Sequence, residues 1–192
     1  MDRMNESLED ITNYLISLFY MTDCKYSCTR TKIGKLLSII AFSYACEDKK
    51  LFDDEIYKGD KLGPIIPVLQ ILWFPLEIYS FGKDEKCYDD MTVINEKFNE
   101  DVEFSTKFYN NQFLSVELKE RVENVFRRFG AYPSVELSFL LKPIVINATY
   151  GEYDEIDLSK ISSVIQNTVQ SNEMIEYFKL NFLQIKQKVK SR

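Results

Sequence analysis

The stretch TKIGKLLSIIAFSYA, residues 31–45, decides the fold. Its apolar side chains recur at steps of three and four, which places residues such as Ile33, Leu37 and Tyr44 on one face of a helix. Ile39 and Phe42 broaden that face. An apolar face this wide predicts a central helix that is buried on most sides.

The same spacing recurs elsewhere in the chain and predicts further amphipathic helices. They cover residues 8–19, 115–129, 158–169 and 171–189. Ser115 is placed to cap the second of them, and Gly130 follows its last apolar residue. A shorter helix from Pro133 is predicted to end at Pro143, because a proline disfavours helical backbone in the residue before it. The stretch 144–157 is predicted to be a connection, in which IVINATY could form a short strand.

The stretch LFDDEIYKGDKLGPIIP, residues 51–67, is rich in turn residues. We expect a structured loop here, with Pro64 and Pro67 both in the first turn of the helix that follows, where the missing N–H of proline is tolerated. Together the patterns predict an all-α protein, a single compact domain of about seven or eight helices with this Gly/Pro loop between the second and third. Residues 1–170 form the body of the domain, and residues 171–192 form a C-terminal amphipathic helix with a basic tail that packs on it.

The composition excludes several classes of enzyme. The chain has no histidine, so neither a Ser-His-Asp triad nor a zinc site of the histidine type can form. Cys24 and Cys28 supply only half of a zinc site, because Cys46 and Cys87 lack a matching pair spacing. No phosphate-binding loop, dinucleotide fingerprint or nucleophile elbow is present. We therefore predict no enzyme activity, no catalytic residue, no metal and no cofactor. An enzyme that depends on carboxylates is the less favoured alternative.

The net charge of −6 points to a protein partner. An acidic body repels phosphate backbones, so no direct nucleic-acid binding is expected, and it suits a basic partner protein. The longest apolar stretch, 62–82, contains three prolines as well as Gln70 and Glu77, which disfavours a membrane span. The polar N-terminus predicts no signal peptide, and hence a cytoplasmic protein. The apolar seam of the C-terminal helix could also pair two copies as a homodimer.

Two blocks of the sequence resemble the Panacea family, also called SocA-like. In the first block, residues 29–69, the segments KIGKLLSIIAFSYA, LFDDEI and LGPIIP follow the order of the family's motifs. The second block, residues 113–143, resembles the family's later amphipathic helices. The chain departs from the family pattern at Leu62, where an aromatic residue is frequent, and at the end of the second block, where LLKPIVI replaces a segment with histidine.

The resemblance implies a function in a bacterial or phage toxin–antitoxin system. Members are helical antitoxins that neutralise a cognate protein toxin by direct contact, and residues 1–170 would be the Panacea-like domain. Two alternatives stay open. The chain could be an inhibitor of a host protein, encoded by a phage or mobile element, or an adaptor that delivers its partner to a protease.

The partner-binding surface is predicted in the Gly/Pro loop, because apolar anchors stand beside carboxylates there. Buried apolar anchors supply affinity, and charges at the rim supply steering and selectivity. The candidate residues are Phe52, Asp53, Asp54, Glu55, Tyr57, Pro64, Ile65 and Ile66.

Overall fold

The computed structural model of the chain describes residues 2–3, 8–22, 30–51, 58–60, 63–65, 114–149, 155–169 and 172–183. Six α-helices lie within these ranges: α1 (Leu8–Met21), α2 (Arg30–Ala45), α3 (Val116–Phe129), α4 (Ser134–Ala148), α5 (Ile161–Asn167) and α6 (Glu173–Phe178). A 3₁₀ turn, Leu158–Lys160, precedes α5, and a π-helical turn, Lys179–Leu183, follows α6. This part of the chain is mostly helical, which confirms the all-α class, whereas the helix count stays a prediction.

The strands in the described residues are short and form two pairs. β1 (Asp2–Arg3) runs parallel to β2 (Lys49–Lys50), and β3 (Lys58–Asp60) is antiparallel to β4 (Gly63–Ile65). The prediction that Pro64 opens a helix is wrong, because Pro64 lies in β4 opposite Gly59. A two-stranded pair consists of edge strands only, where the missing N–H of a proline is tolerated.

By backbone proximity the chain divides into two compact units. The first unit consists of residues 1–5, 38–67 and 135–192, and the second of residues 6–37 and 68–134. Each unit therefore draws on segments far apart in the sequence. The predicted division at residue 170 stays a prediction.

Helix α2 is buried around its whole circumference, as its sequence predicts. Every residue from 32 to 46 is buried, including Lys32, Lys35 and Ser43. The hydroxyl of Ser43 donates to the carbonyl of Ile40 at 2.5 Å, so this buried polar group is satisfied within its own helix.

The core of the second unit joins α1 to α3. The rings of Phe19 and Phe126 meet edge to face, with centroids 4.8 Å apart and planes at 87°. The ammonium of Lys32 lies 5.2 Å from the centroid of the Phe19 ring, within cation–π range. At the margin of this contact the hydroxyl of Tyr14 donates to the carboxylate of Glu123. Aromatic packing with a polar margin thus fixes one helix on the other.

Helix α3 begins and ends where the sequence predicts. The Leu118 N–H donates to the Ser115 hydroxyl at 3.3 Å, which confirms the N-cap. Gly130 follows the last residue of the helix, and Arg127 and Arg128 stand in the last turn, where positive charge complements the helix dipole.

Helix α4 continues through Pro143, so the prediction that it ends there is wrong. It runs on to Ala148, and the predicted strand over 144–150 is therefore helical as far as Ala148. The proline ring removes one backbone donor, but Ile144, Val145 and Ala148 lie on the buried face and stabilise the last turns. The side-chain amide of Asn147 also donates to the Pro143 carbonyl at 2.7 Å.

The C-terminal apolar seam packs within its own chain as far as the structure describes it. Ile175, Phe178 and Phe182 are all buried, and the rings of Phe178 and Phe182 lie 6.3 Å apart. Ile185 and Val189 lie outside the described residues. The homodimer through this helix stays a prediction.

A membrane-spanning helix needs about 20 consecutive apolar residues. In the part of the chain that the structure describes, no single helix is long and apolar enough to cross a membrane. Helices α3 and α4 meet the length and composition requirement only when they are taken together as a bent pair.

Replacing Asp157 with alanine is expected to lower the free energy of unfolding by about 1 kcal/mol at pH 7, as loss of an N-cap does. The Asp157 carboxylate accepts from the side chain and N–H of Ser159 and pairs with Lys160 at 3.2 Å. The hydrogen bond from the Ser159 side chain is the main cause that lowers the pKa of Asp157. The Asp157 carboxylate therefore stabilises the fold above the unfolded pKa, and this stabilisation is lost as the pH falls through the folded pKa.

The check is urea unfolding of the wild type and Asp157→Ala from pH 7 to pH 3. The difference in the free energy of unfolding between the wild type and Asp157→Ala should shrink below about pH 4, where an ordinary aspartate becomes protonated. Asp157→Asn is the control, because it keeps a capping oxygen without a titratable charge. A wild-type advantage that is constant over the whole range would contradict the assignment.

Candidate functional site

The structure places only part of the sequence-predicted site. Pro64 and Ile65 lie in β4, where they pair with Gly59 and Lys58. The other six candidates lie outside the described residues: Phe52, Asp53, Asp54, Glu55, Tyr57 and Ile66. That these residues form one surface therefore stays a prediction.

A groove in the first unit is the candidate site that the structure itself provides. It has a volume of about 670 Å³ and lies between α4 and the C-terminal half of α5 with the residues that follow it. Phe139, Pro143 and Ile146 line one wall. Val164 and Val169 contribute apolar surface to the other.

The groove exists because α4 is apolar on two faces. One face points into the core and is fully buried at Leu137, Leu141 and Ile144. The opposite face leaves Phe139 68% exposed and Ile146 59% exposed. A helix that is apolar all round is ordinarily buried, and neighbouring large apolar side chains in contact with water mark a surface that binds.

The wall that α5 forms ends in an apolar side chain, Val169. Val169 is 97% exposed, beyond the last residue of α5. The sequence places Val169 on the buried stripe of a helix, and that prediction is wrong. At Thr168 the backbone becomes extended and α5 ends. The Thr168 hydroxyl donates to the Val164 carbonyl at 2.7 Å.

Polar side chains lie between the apolar side chains that line the groove. Lys142 is the one charged residue among the described residues that line the groove. The side-chain amide of Asn167 donates to the Ser163 hydroxyl at 3.4 Å on the α5 wall. The groove therefore combines apolar side chains with one ammonium group, amides and hydroxyls.

Hydrogen bonds made by Asn172 and Lys179 connect the helices around the groove. Asn172 donates through its amide to the Leu140 carbonyl of α4 at 3.0 Å, while its oxygen caps α6 by accepting from the Ile175 N–H at 2.9 Å. The ammonium of Lys179 lies 3.4 Å from the Thr168 carbonyl at the end of α5. Positive charge at a helix C-terminus is favourable, so this contact stabilises the residues that form the second wall.

These groups are suited to binding a partner. Affinity at protein interfaces comes from apolar anchors in a groove, and polar groups around them set orientation. In the described ranges no group of three or more acidic or cysteine side chains converges as metal ligands would.

The sequence carries a signal for this groove in a second apolar stripe on α4. Val135, Phe139 and Ile146 stand four and seven residues apart, which makes a second stripe on α4 opposite the buried one. Ending the helix at Pro143 removes Ile146 from that stripe. The second stripe becomes evident only when the helix continues through the proline.

Comparisons of the chain with protein-family models, with curated proteins and with solved structures give no match.

Proposed function

We propose that this chain is a non-catalytic antitoxin of the Panacea kind, which neutralises a cognate protein toxin by direct contact. The observation that supports binding is the open apolar groove between α4 and α5, where Phe139 and Val169 stand in contact with solvent. The resemblance of residues 29–69 and 113–143 to Panacea antitoxins supplies the kind of partner.

The charge of the chain agrees with this function. With 30 acidic residues against 24 basic ones, the chain would attract a basic toxin at long range and increase the rate of encounter. Apolar contact at short range would then hold the complex, since exposed aromatic and aliphatic anchors contribute most of the affinity of such interfaces.

The test is co-expression with the reading frame that adjoins this gene. Expression of that neighbour alone should stop growth, and co-expression of this chain should restore colony formation. A neighbour that is not toxic, or whose toxicity this chain does not relieve, would overturn the proposal. Val116→Ala is the control for the expression of a variant chain, and it should still restore growth. Val116 is 73% exposed and lies on α3 in the second unit, away from the groove residues of the first unit.

The predicted Gly/Pro-loop site is tested in the same assay. The double variant Phe52→Ala with Tyr57→Ala should lose rescue if that loop contacts the toxin. Rescue that survives replacement of the whole 52–66 surface would reject the loop as the binding site and leave the antitoxin function standing.

A further inference from the structure

We infer that the groove between α4 and α5 binds an amphipathic helix of the partner protein that carries an acidic residue on its apolar face, opposite Lys142. The inference rests on the proposed function in one respect, that the partner is a protein.

The shape of the groove favours a helix as its occupant. Two helices form most of its walls, and a third helix fits between two others when its side chains enter the depressions between theirs. On α4 the outward residues Phe139, Lys142 and Ile146 stand three and four apart, so they form one stripe along the helix. A partner helix with the same spacing could meet apolar groups at both ends and the ammonium between them.

The charge of the groove selects an acidic helix. The whole chain is acidic at −6, yet no carboxylate is among the described residues that line the groove. The ammonium of Lys142 lies among the lining residues, and that of Lys179 lies at the Thr168 end. A basic helix would place like charge against Lys142, whereas a carboxylate there would form an ion pair beside apolar surface. The groove thus favours an acidic residue on the partner helix, whereas the net charge of the chain favours a basic partner at long range.

The probe is a pair of fluorescently labelled model helices of about fifteen residues, long enough to form a helix on binding. Both carry leucines at steps of three and four, and one residue within the apolar stripe is Glu in one peptide and Lys in the other. Fluorescence anisotropy with the full chain should show the Glu peptide binding about fivefold more tightly, the upper range for one exposed ion pair.

The variant Lys142→Glu should reverse this preference, while Lys119→Glu, on α3 and outside the groove, should leave it unchanged. Equal binding of the two peptides, no binding of either, or a preference that Lys142→Glu does not change would overturn the inference. So would sedimentation that shows a dimer of this chain dissociated by Phe139→Ala, since the occupant would then be a second copy. Growth rescue is measured separately, so its failure would count against the antitoxin proposal and leave the peptide result intact.

Discussion

Replacing Phe19 with alanine is expected to lower the free energy of unfolding by about 3–5 kcal/mol, the usual cost of emptying a buried phenylalanine site. Phe19 is fully buried in the second unit. Its ring contacts Phe126 edge to face and lies under the ammonium of Lys32. The substitution therefore leaves a cavity and also removes an aromatic pair and a cation–π contact. Urea unfolding followed by circular dichroism measures the change.

The matched control is Phe139→Ala, the same substitution at a ring that is 68% exposed. It should change the free energy of unfolding by no more than about 0.5 kcal/mol, as surface substitutions do. A double-mutant cycle with Phe126→Ala should give a coupling of about 1 kcal/mol between Phe19 and Phe126. A cost below 1 kcal/mol for Phe19→Ala would show that the ring is not packed as described.

Helices with one apolar stripe and clear ends could be predicted from the sequence. In α3 the stripe of Leu118, Val122 and Phe129 is buried, and Ser115 and Gly130 mark its limits. Helix α2 was equally predictable, because an apolar surface on every side leaves few alternatives to burial. In both helices local propensity and tertiary packing favour the same structure.

Prolines and segment ends were less predictable, because tertiary contacts decide them. Pro143 costs α4 one hydrogen bond, and the burial of Ile144 and Val145 beyond it outweighs that cost. Pro64 stands in a strand pair whose partner residues, 58–60, show no alternation strong enough to predict a strand. Val169 fits a helical stripe by spacing alone, but the helix ends at Asn167, so its side chain is exposed.

The candidate site was harder to predict than the fold. A pattern of apolar residues shows that a side chain is suited to burial, but it does not show whether the chain itself or a partner covers it. Phe139 and Leu141 are both apolar and two positions apart, yet one is exposed and the other fully buried. Only the packing of α4 distinguishes the buried residue from the exposed one.

Phe139→Ala, which should change stability little, is expected to weaken binding of the toxin proposed above at least about 30-fold, the loss of about 2 kcal/mol or more that defines an interface hot spot. Among the described residues that line the groove, Phe139 is the largest apolar side chain, and its exposed ring would be covered on binding. Isothermal titration calorimetry of the purified variant with the toxin measures the loss. Growth rescue in co-expression should fall in parallel.

The control is Leu180→Ala. Leu180 is 64% exposed and belongs to the same unit as Phe139, but it does not line the groove. If both variants weaken binding equally, the effect belongs to exposed apolar surface in general, and the groove is not the binding site. If only Phe139→Ala weakens binding, the groove is the binding site, because that ring contributes at most about 0.5 kcal/mol to folding and about 2 kcal/mol or more to the complex.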